Sequence, residues 1–224
     1  MAVGYNPKVV TDGLVLALDA GNTKSYPGSG TTWTDSSSRN HNATLSGPTY
    51  NSDNGGALIF DGTNDYATIS NASALGGFSG DFTIEFWFKG GNQTGYAVFL
   101  ETHTNLTQRW AIQAEAGGTT NMIWVRNGSV IFTTSGIDAF DDAWHHHAVV
   151  RNGSAINYYI DGVSRGSESH SGTLSACTDL TIGEYSNGDY HINGRMSVIR
   201  IYNGKGLTAT EVEQNYDALK GRYA

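Results

Sequence analysis

The sequence predicts an all-β domain of packed antiparallel sheets, closed by one short helix near its C-terminus. The first observation is the stretch DFTIEFWFK, residues 81–89, which alternates strictly. Phe82, Ile84, Phe86 and Phe88 fall on one face; Thr83, Glu85, Trp87 and Lys89 fall on the other. Successive side chains of a strand leave opposite faces of the pleat. Four large apolar residues on one side therefore mark the inner face of a sheet packed on another layer. The second observation is composition: 29 glycines and only 15% charged residues among 224, with Ser, Thr and Asn abundant. That is the make-up of many strands joined by polar turns. The third is a pair of Asn-Gly steps, Asn127-Gly128 and Asn152-Gly153, each set between apolar runs. Asn-Gly suits a type I′ hairpin, which needs positive φ at both central residues.

Residues 1–13, interrupted by Pro7 and Gly13, carry no sustained pattern and read as an arm for attachment to a particle or a neighbouring subunit. Leu14, Leu16 and Leu18 share a face, so residues 14–19 form a strand. Residues 20–48 are mostly turn-formers around the apolar islands Trp33, Ala43 and Leu45. A loop of that length is functional or pinned, for instance by an ion. Short strands follow at 57–60 and 66–69, then the central strand, then strands at 96–101, 110–114 and 122–125. Asp161-Gly162 turns the chain again, and further strands cover 180–183 and 196–202. Thr208 and Glu211 make a capping box. Val212, Tyr216 and Leu219 follow at helical spacing, with Gly221 as the stop. The expected organisation is an arm at 1–13, a sandwich at 14–205, and a helix and tail at 206–224 packed on it. Trp87, on the outer face of the central strand, predicts either a ligand groove or packing against a subunit or the chain's own loops.

The net charge is −8 and no Lys/Arg cluster occurs, which argues against nucleic acid and anionic membranes as partners. One cysteine, Cys177, rules out an intrachain disulfide and fits folding in a reducing cytosol. Neither a signal peptide nor a transmembrane run is visible.

Several stretches in order resemble the laminin-G-like, concanavalin-A-like jelly-roll superfamily. They are GLVLALDAG, ALIFDGTNDYATI, DFTIEFWFK, AWHHHAVVRNGSAINYYIDGV and LTIGEYSNGDYHINGRMSVIRIYNGKGLTATEVEQNY. The resemblance implies a two-sheet antiparallel jelly-roll sandwich. GLVLALDAGNTKSYPGSGTTWTD and the ending ALKGRY further resemble virion proteins of tailed, especially marine, bacteriophages. That likeness implies a capsid decoration, capsid-fibre or tail-fibre component, made in the host cytoplasm and located in the virion among other virion proteins. Its lectin-like surface would adhere to cell-surface glycans through many copies. The alternative is a free or exported calcium-dependent lectin module. Residues 35–45, DSSSRNHNATL, depart from the pattern D-x-S-G-N-G-N-x-G-T-L. Ser38, Asn40 and Ala43 replace glycines, while Asp35, Ser37, Thr44 and Leu45 remain, with Asn42 at an open position. The departure sets in question any loop conformation or ion site built on those glycines.

Calcium takes oxygen ligands. Asp61, Asn64 and Asp65 offer three, with Asp19 and Asp35 as further candidates, and the resemblance favours a structural calcium there. The competing reading is that Asp61 and Asp65 make Asx-turns. Glycan binding needs exposed rings and polar groups. Tyr185, Ser186, Asn187, Asp189, Tyr190 and His191 give that mix in one loop, and Tyr96, Trp110 and Trp87 are candidates on the sheet. Against this, the tryptophans serve equally well as core. His145-His146-His147 lack a third zinc ligand at a telling spacing and read as ordinary strand histidines. Catalysis is not expected. Glu85 and Glu101 stand alone on their strands and Glu184 begins a loop, so no carboxylate pair of glycosidase type occurs.

Overall fold

A computed structural model gives the structure of the chain and describes residues 7–75, 78, 80–91, 93, 95–105, 108–114, 122–126, 129–134, 139–170, 178–185 and 188–224. In chain order the strands are β1 (Leu14–Asp19), β2 (Thr32–Trp33), β3 (Ala43–Ser46), β4 (Thr49–Asn51), β5 (Ala57–Asp61), β6 (Tyr66–Ser70), β7 (Phe82–Gly90) and β8 (Ala97–Asn105). They continue with β9 (Gln108–Ala114), β10 (Met122–Arg126), β11 (Ser129–Thr133), β12 (His145–Asn152), β13 (Ala155–Ile160), β14 (Val163–Ser169), β15 (Asp179–Ile182) and β16 (Asn193–Asn203). The helix α1 (Ala209–Leu219) follows. One sheet has the order β14-β13-β12-β7-β16-β5-β4, with β1 also paired to β16; the other runs β11-β10-β9-β8-β15-β6-β3-β2. The pairings are antiparallel. This is the two-sheet sandwich that the alternating strands predict.

β7 lies between β12 and β16. Its Phe82, Ile84, Phe86 and Phe88 are fully buried between the sheets. Phe86 stacks on Phe99 at 5.2 Å, and Phe88 meets Phe99 edge to face at 4.8 Å. Each such side chain contributes about 1.5–3 kcal/mol through burial.

The other face of β7 is closed as well, by the chain's own C-terminal segment. Thr83, Glu85 and Trp87 are buried. Trp87 stacks on Tyr223 at 4.1 Å and on Tyr216 at 5.7 Å. Glu85 takes hydrogen bonds from Arg200 (2.8 Å) and from Asn215, whose Nδ2 lies 3.0 Å from Oε2. The helix begins at the expected capping box: Glu211 N donates to Thr208 Oγ1, and Thr208 N donates to Glu211 Oε2. Its end differs from expectation. Gly221 does not stop α1 in a left-handed turn but sits inside a 3₁₀ turn, Lys220–Arg222. That turn swings Arg222 inward, where it donates to the Asp19 carboxylate, the Asn54 and Gly56 carbonyls and Ser197 Oγ.

The expected N-terminal arm is not free from Lys8 onward. Gln214 Nε2 donates to the Lys8 carbonyl, Val10 N to Asn215 Oδ1, and Tyr202 OH to the Val10 carbonyl. Val10 and Leu14 pack beside Tyr202, Leu207 and Val212. Residues 1–6 lie outside the described residues.

Of the two Asn-Gly hairpins, Asn127 and Gly128 lie outside the described residues, although Arg126 pairs with Ser129 across them. The second is shifted by one residue. Asn152 pairs with Ala155, so Gly153 and Ser154 form the turn. Gly153 alone of the two has positive φ (60°), the pattern of a type II′ turn. Asp161-Gly162 turns as expected, with both residues at positive φ between paired Ile160 and Val163.

Asp35 organises the long loop. Its carboxylate accepts from Ala17 N, Ser37 N, Ser37 Oγ and His41 N, and Asn42 Oδ1 caps the Asp35 N–H. Ser38 (φ 72°) and Asn40 (φ 61°) occupy the left-handed region at two positions where the related pattern has glycine.

Candidate functional site

Tyr190 protrudes from the loop between β15 and β16, 46% exposed, with its backbone at φ 56°. Two other tyrosines gather round it. Tyr96, 39% exposed, lies edge-on at 5.5 Å, and Tyr185 lies edge-on at 5.7 Å. Tyr185 is itself buried against Val98 and Ala111 of β8 and β9, so it anchors the group rather than offering a face. The sequence places Tyr96 far before the other two; the pairing of β15 with β8 closes that gap.

The backbone of this loop is tightly bonded. Val98 N donates to the Tyr190 carbonyl, Tyr185 N to the Asp189 carbonyl, and Gly188 N to the Tyr185 carbonyl. Gln93 ties the neighbouring strands together: its Nε2 donates to the His191 carbonyl (3.0 Å), and its Oε1 accepts from Asn193 N (2.9 Å). His191 lies against the Gly188 carbonyl through Nε2 (3.1 Å). Burial raises the Glu184 carboxyl above its usual range, an effect that His191 nearby partly offsets. Two exposed rings, Tyr190 on this loop and Tyr96 just before β8, edged by Asp189, His191 and Gln93, can stack on a sugar face and bond its hydroxyls.

The structure thus brings together Tyr185, Asp189, Tyr190 and His191 with Tyr96. Asn187 and Ser186 lie outside the described residues. Trp110 is a correction: it is 1% exposed and packs edge-on against Phe78 at 5.3 Å, so no sugar reaches it. Its place on β9 turns it between the sheets. Trp87 is likewise covered. Gln93 was not legible as a site residue, because its bonds run to residues about a hundred positions away.

The five proposed metal ligands do not converge. Asp19 is bound to Arg222 and Asp35 to its own loop. Asp61 Oδ1 accepts from Thr63 N and Asn64 N, while Asp65 Oδ2 accepts from Asp61 N. Asp61 makes the Asx-turn of the competing reading, whereas Asp65 reaches back across the turn to the Asp61 N–H. Among the described residues, no group of three His, Cys, Asp or Glu side chains stands close enough to hold a metal ion.

The histidine run divides by face. His147 is buried, stacked on Phe86 at 5.0 Å and bonded to Tyr158 OH; burial and the nearby charge of His145 push it down to about 3. His146 is buried on the opposite face, with Nε2 3.4 Å from Glu85 Oε2. His145 lies between Asp161 (2.7 Å) and Asp141 (3.1 Å). The Asp161 bond outweighs partial burial and raises His145 to about 9. For Glu85, burial acts upward, but His146 and Arg200 outweigh it and hold the carboxyl at about 2. This carboxylate is sealed beneath α1 and can serve no substrate. Glu101 is fully buried on the other sheet.

Residues 61–213 match the model of the concanavalin A-like lectin/glucanases superfamily, and the chain belongs to that superfamily. A search of curated proteins gave no match. Among solved structures, the binding domain of Paraclostridial Mosquitocidal Protein 1 is similar (TM-score 0.72, 19% identity, 92% of this chain and 52% of that one). So is the botulinum neurotoxin serotype D binding domain (TM-score 0.71, 14% identity, 93% and 52%). The chain therefore spans about half the length of these toxin domains. Domain 4 of a GH43 extracellular arabinanase from Geobacillus stearothermophilus, solved with arabinotriose, aligns over 91% of this chain and 98% of its own (TM-score 0.69, 16% identity). Identities this low establish the sandwich and leave the ligand to the site itself. No helix among the described residues is long and apolar enough to cross a membrane.

Proposed function

We propose that the chain is a non-catalytic carbohydrate-binding protein whose sugar platform is Tyr190 with Tyr96, backed by Tyr185 and edged by Asp189 and His191. One observation carries this reading: Tyr190 holds a left-handed backbone while its ring remains 46% exposed. A side chain at that φ costs about 1–2 kcal/mol, and such strain clusters at binding sites. A ring so open recovers little of that through burial. Support also comes from the arabinanase domain solved with arabinotriose and from the neurotoxin binding domain solved with SialylT.

The test is a glycan array probed with the full chain and with its Tyr190→Ala and Tyr96→Ala variants. The proposal expects hits that both variants lose while their unfolding midpoints stay near the parent's. An array with no hits, or hits indifferent to both changes, refutes it. Hits abolished by EDTA would favour the calcium-dependent lectin instead.

The finer reading is display on a tailed-phage particle, as the resemblance of residues 13–35 and of the ending ALKGRY implies. Many copies would raise avidity by roughly 10²–10⁴ over one shallow site. Antibody-gold labelling of purified particles tests it: label on head or tail supports display, and bare particles leave the free lectin.

A further inference from the structure

A cleft of about 600 Å³ lies on the outer face of the first sheet. Its walls include Lys89 at the end of β7, Arg195 near the start of β16, Phe140, Asp141, Asp142 and Asn193. Gln93 links the platform's loop to the cleft wall, binding the His191 carbonyl on one side and the Asn193 N–H on the other.

The charges in this cleft do not balance pairwise. Arg195 stands directly across the ladder from Lys89, and like charges in that relation destabilise a sheet. Lys89 finds Asp142 at 3.3 Å, and Asp141 finds His145 at 3.1 Å. Arg195 makes no ion pair or side-chain hydrogen bond among the described residues. An arginine beside a lysine, with both nearby carboxylates already engaged, lacks only an anion. Yet the cleft does not suit a bare anion, since Asp141 and Asp142 would repel it. Their outer lone pairs call for hydroxyl donors, and Phe140 and Ile59 give an apolar wall.

A hydroxylated ring carrying one carboxylate meets all three demands. We propose that this cleft is the subsite for an acidic sugar unit, its carboxylate on the Arg195 guanidinium and its hydroxyls on Asp141 and Asp142. The inference rests on the carbohydrate-binding reading and narrows it: the ligand is a glycan with a uronic-acid-like unit next to the ring held by Tyr190. A guanidinium presents two parallel donors to a carboxylate, which an ammonium cannot.

The test is an amide NMR titration of the full ¹⁵N-labelled chain with D-glucuronate and D-galacturonate, with glucose and acetate as controls. At least one uronate is expected to move the amides of Gly91, Asn193 and Gly194 saturably, while glucose and acetate at equal concentration leave them in place. Arg195→Gln should weaken uronate binding by roughly tenfold or more, with Arg195→Lys intermediate. No uronate shift, an equal response to acetate, or unaltered binding by Arg195→Gln overturns the proposal. The platform is judged separately, by the loss of neutral array hits in Tyr190→Ala, so either reading can fail while the other stands.

Discussion

Trp87 and Tyr223 stack at 4.1 Å with their ring planes 22° apart, joining the middle strand of one sheet to the end of the chain. Tyr223 also meets Trp144 at 4.8 Å and lies beneath the Arg222 guanidinium. Tyr223→Ala should therefore cost about 2–3 kcal/mol, read from urea unfolding. It should also shift tryptophan fluorescence to the red as water reaches Trp87. An unchanged midpoint would mean that the tail does not seal this face.

The Glu85 carboxylate gives the protein an acid limit. Its folded-state pKa of about 2 lies below the unfolded 4.5. Its contribution is thus complete above about pH 4.5 and is lost as pH falls through 2, amounting to about 3 kcal/mol. Glu85→Gln should flatten that acid limb. At neutral pH the same change leaves Arg200 buried without its carboxylate and should cost about 3–5 kcal/mol. Unfolding curves measured from pH 2 to 7 check both statements.

His145 sets the opposite limit. Its pKa is raised from 6.5 to about 9, chiefly by Asp161. The stabilisation is complete below about pH 6.5 and disappears as pH rises through 9, about 2 kcal/mol once solvent screening is allowed for. His145→Ala should remove this alkaline slope. A pH titration of the imidazole resonances that places the midpoint near 6.5 would contradict it.

Ser38 and Asn40 hold left-handed backbone where the related loop pattern carries glycine. Ser38→Gly should stabilise the protein by about 0.5–1 kcal/mol, the relieved strain exceeding the added freedom of the unfolded chain. Asn40→Gly should do less, because asparagine tolerates that region. A lower melting temperature for Ser38→Gly would show that its side chain supplies something glycine cannot.

What could be read from the sequence was what local periodicity encodes. Leu16 and Leu18 announced β1, although a bulge between Leu14 and Leu16 turns Leu14 to the opposite face, beside Tyr202 and Val212; the 81–89 alternation announced β7, and Thr208 with Glu211 announced the helix start. Periodicity says which residues share a face but not what covers it, so Trp87 left the groove and the packed surface equally open. Trp110 looked like a ligand residue because one aromatic in a strand carries no sign of inside or outside. The turn at Asn152 moved by one residue because the pairing of β12 with β13 along their whole length, not the Asn-Gly preference, fixes its register. Asn215 gave no signal. A buried amide on a helix is legible only once Glu85, Tyr202 and Val10 surround it. The strain at Tyr190 lies in a dihedral angle, which residue type does not disclose.

The hydrogen bonds that join Val10 to Asn215 and Asp19 to Arg222 also set a timetable. During synthesis β1 emerges early and β7 midway, but neither can be finished then. Glu85 leaves the ribosome well before Arg200 and Asn215, so its carboxylate must remain hydrated until they arrive. Contacts of such sequence separation slow folding and lengthen exposure of half-paired strands. A nascent chain arrested before residue 209 should therefore be readily digested by protease, and resistance should appear in one step once Arg222 has cleared the exit tunnel.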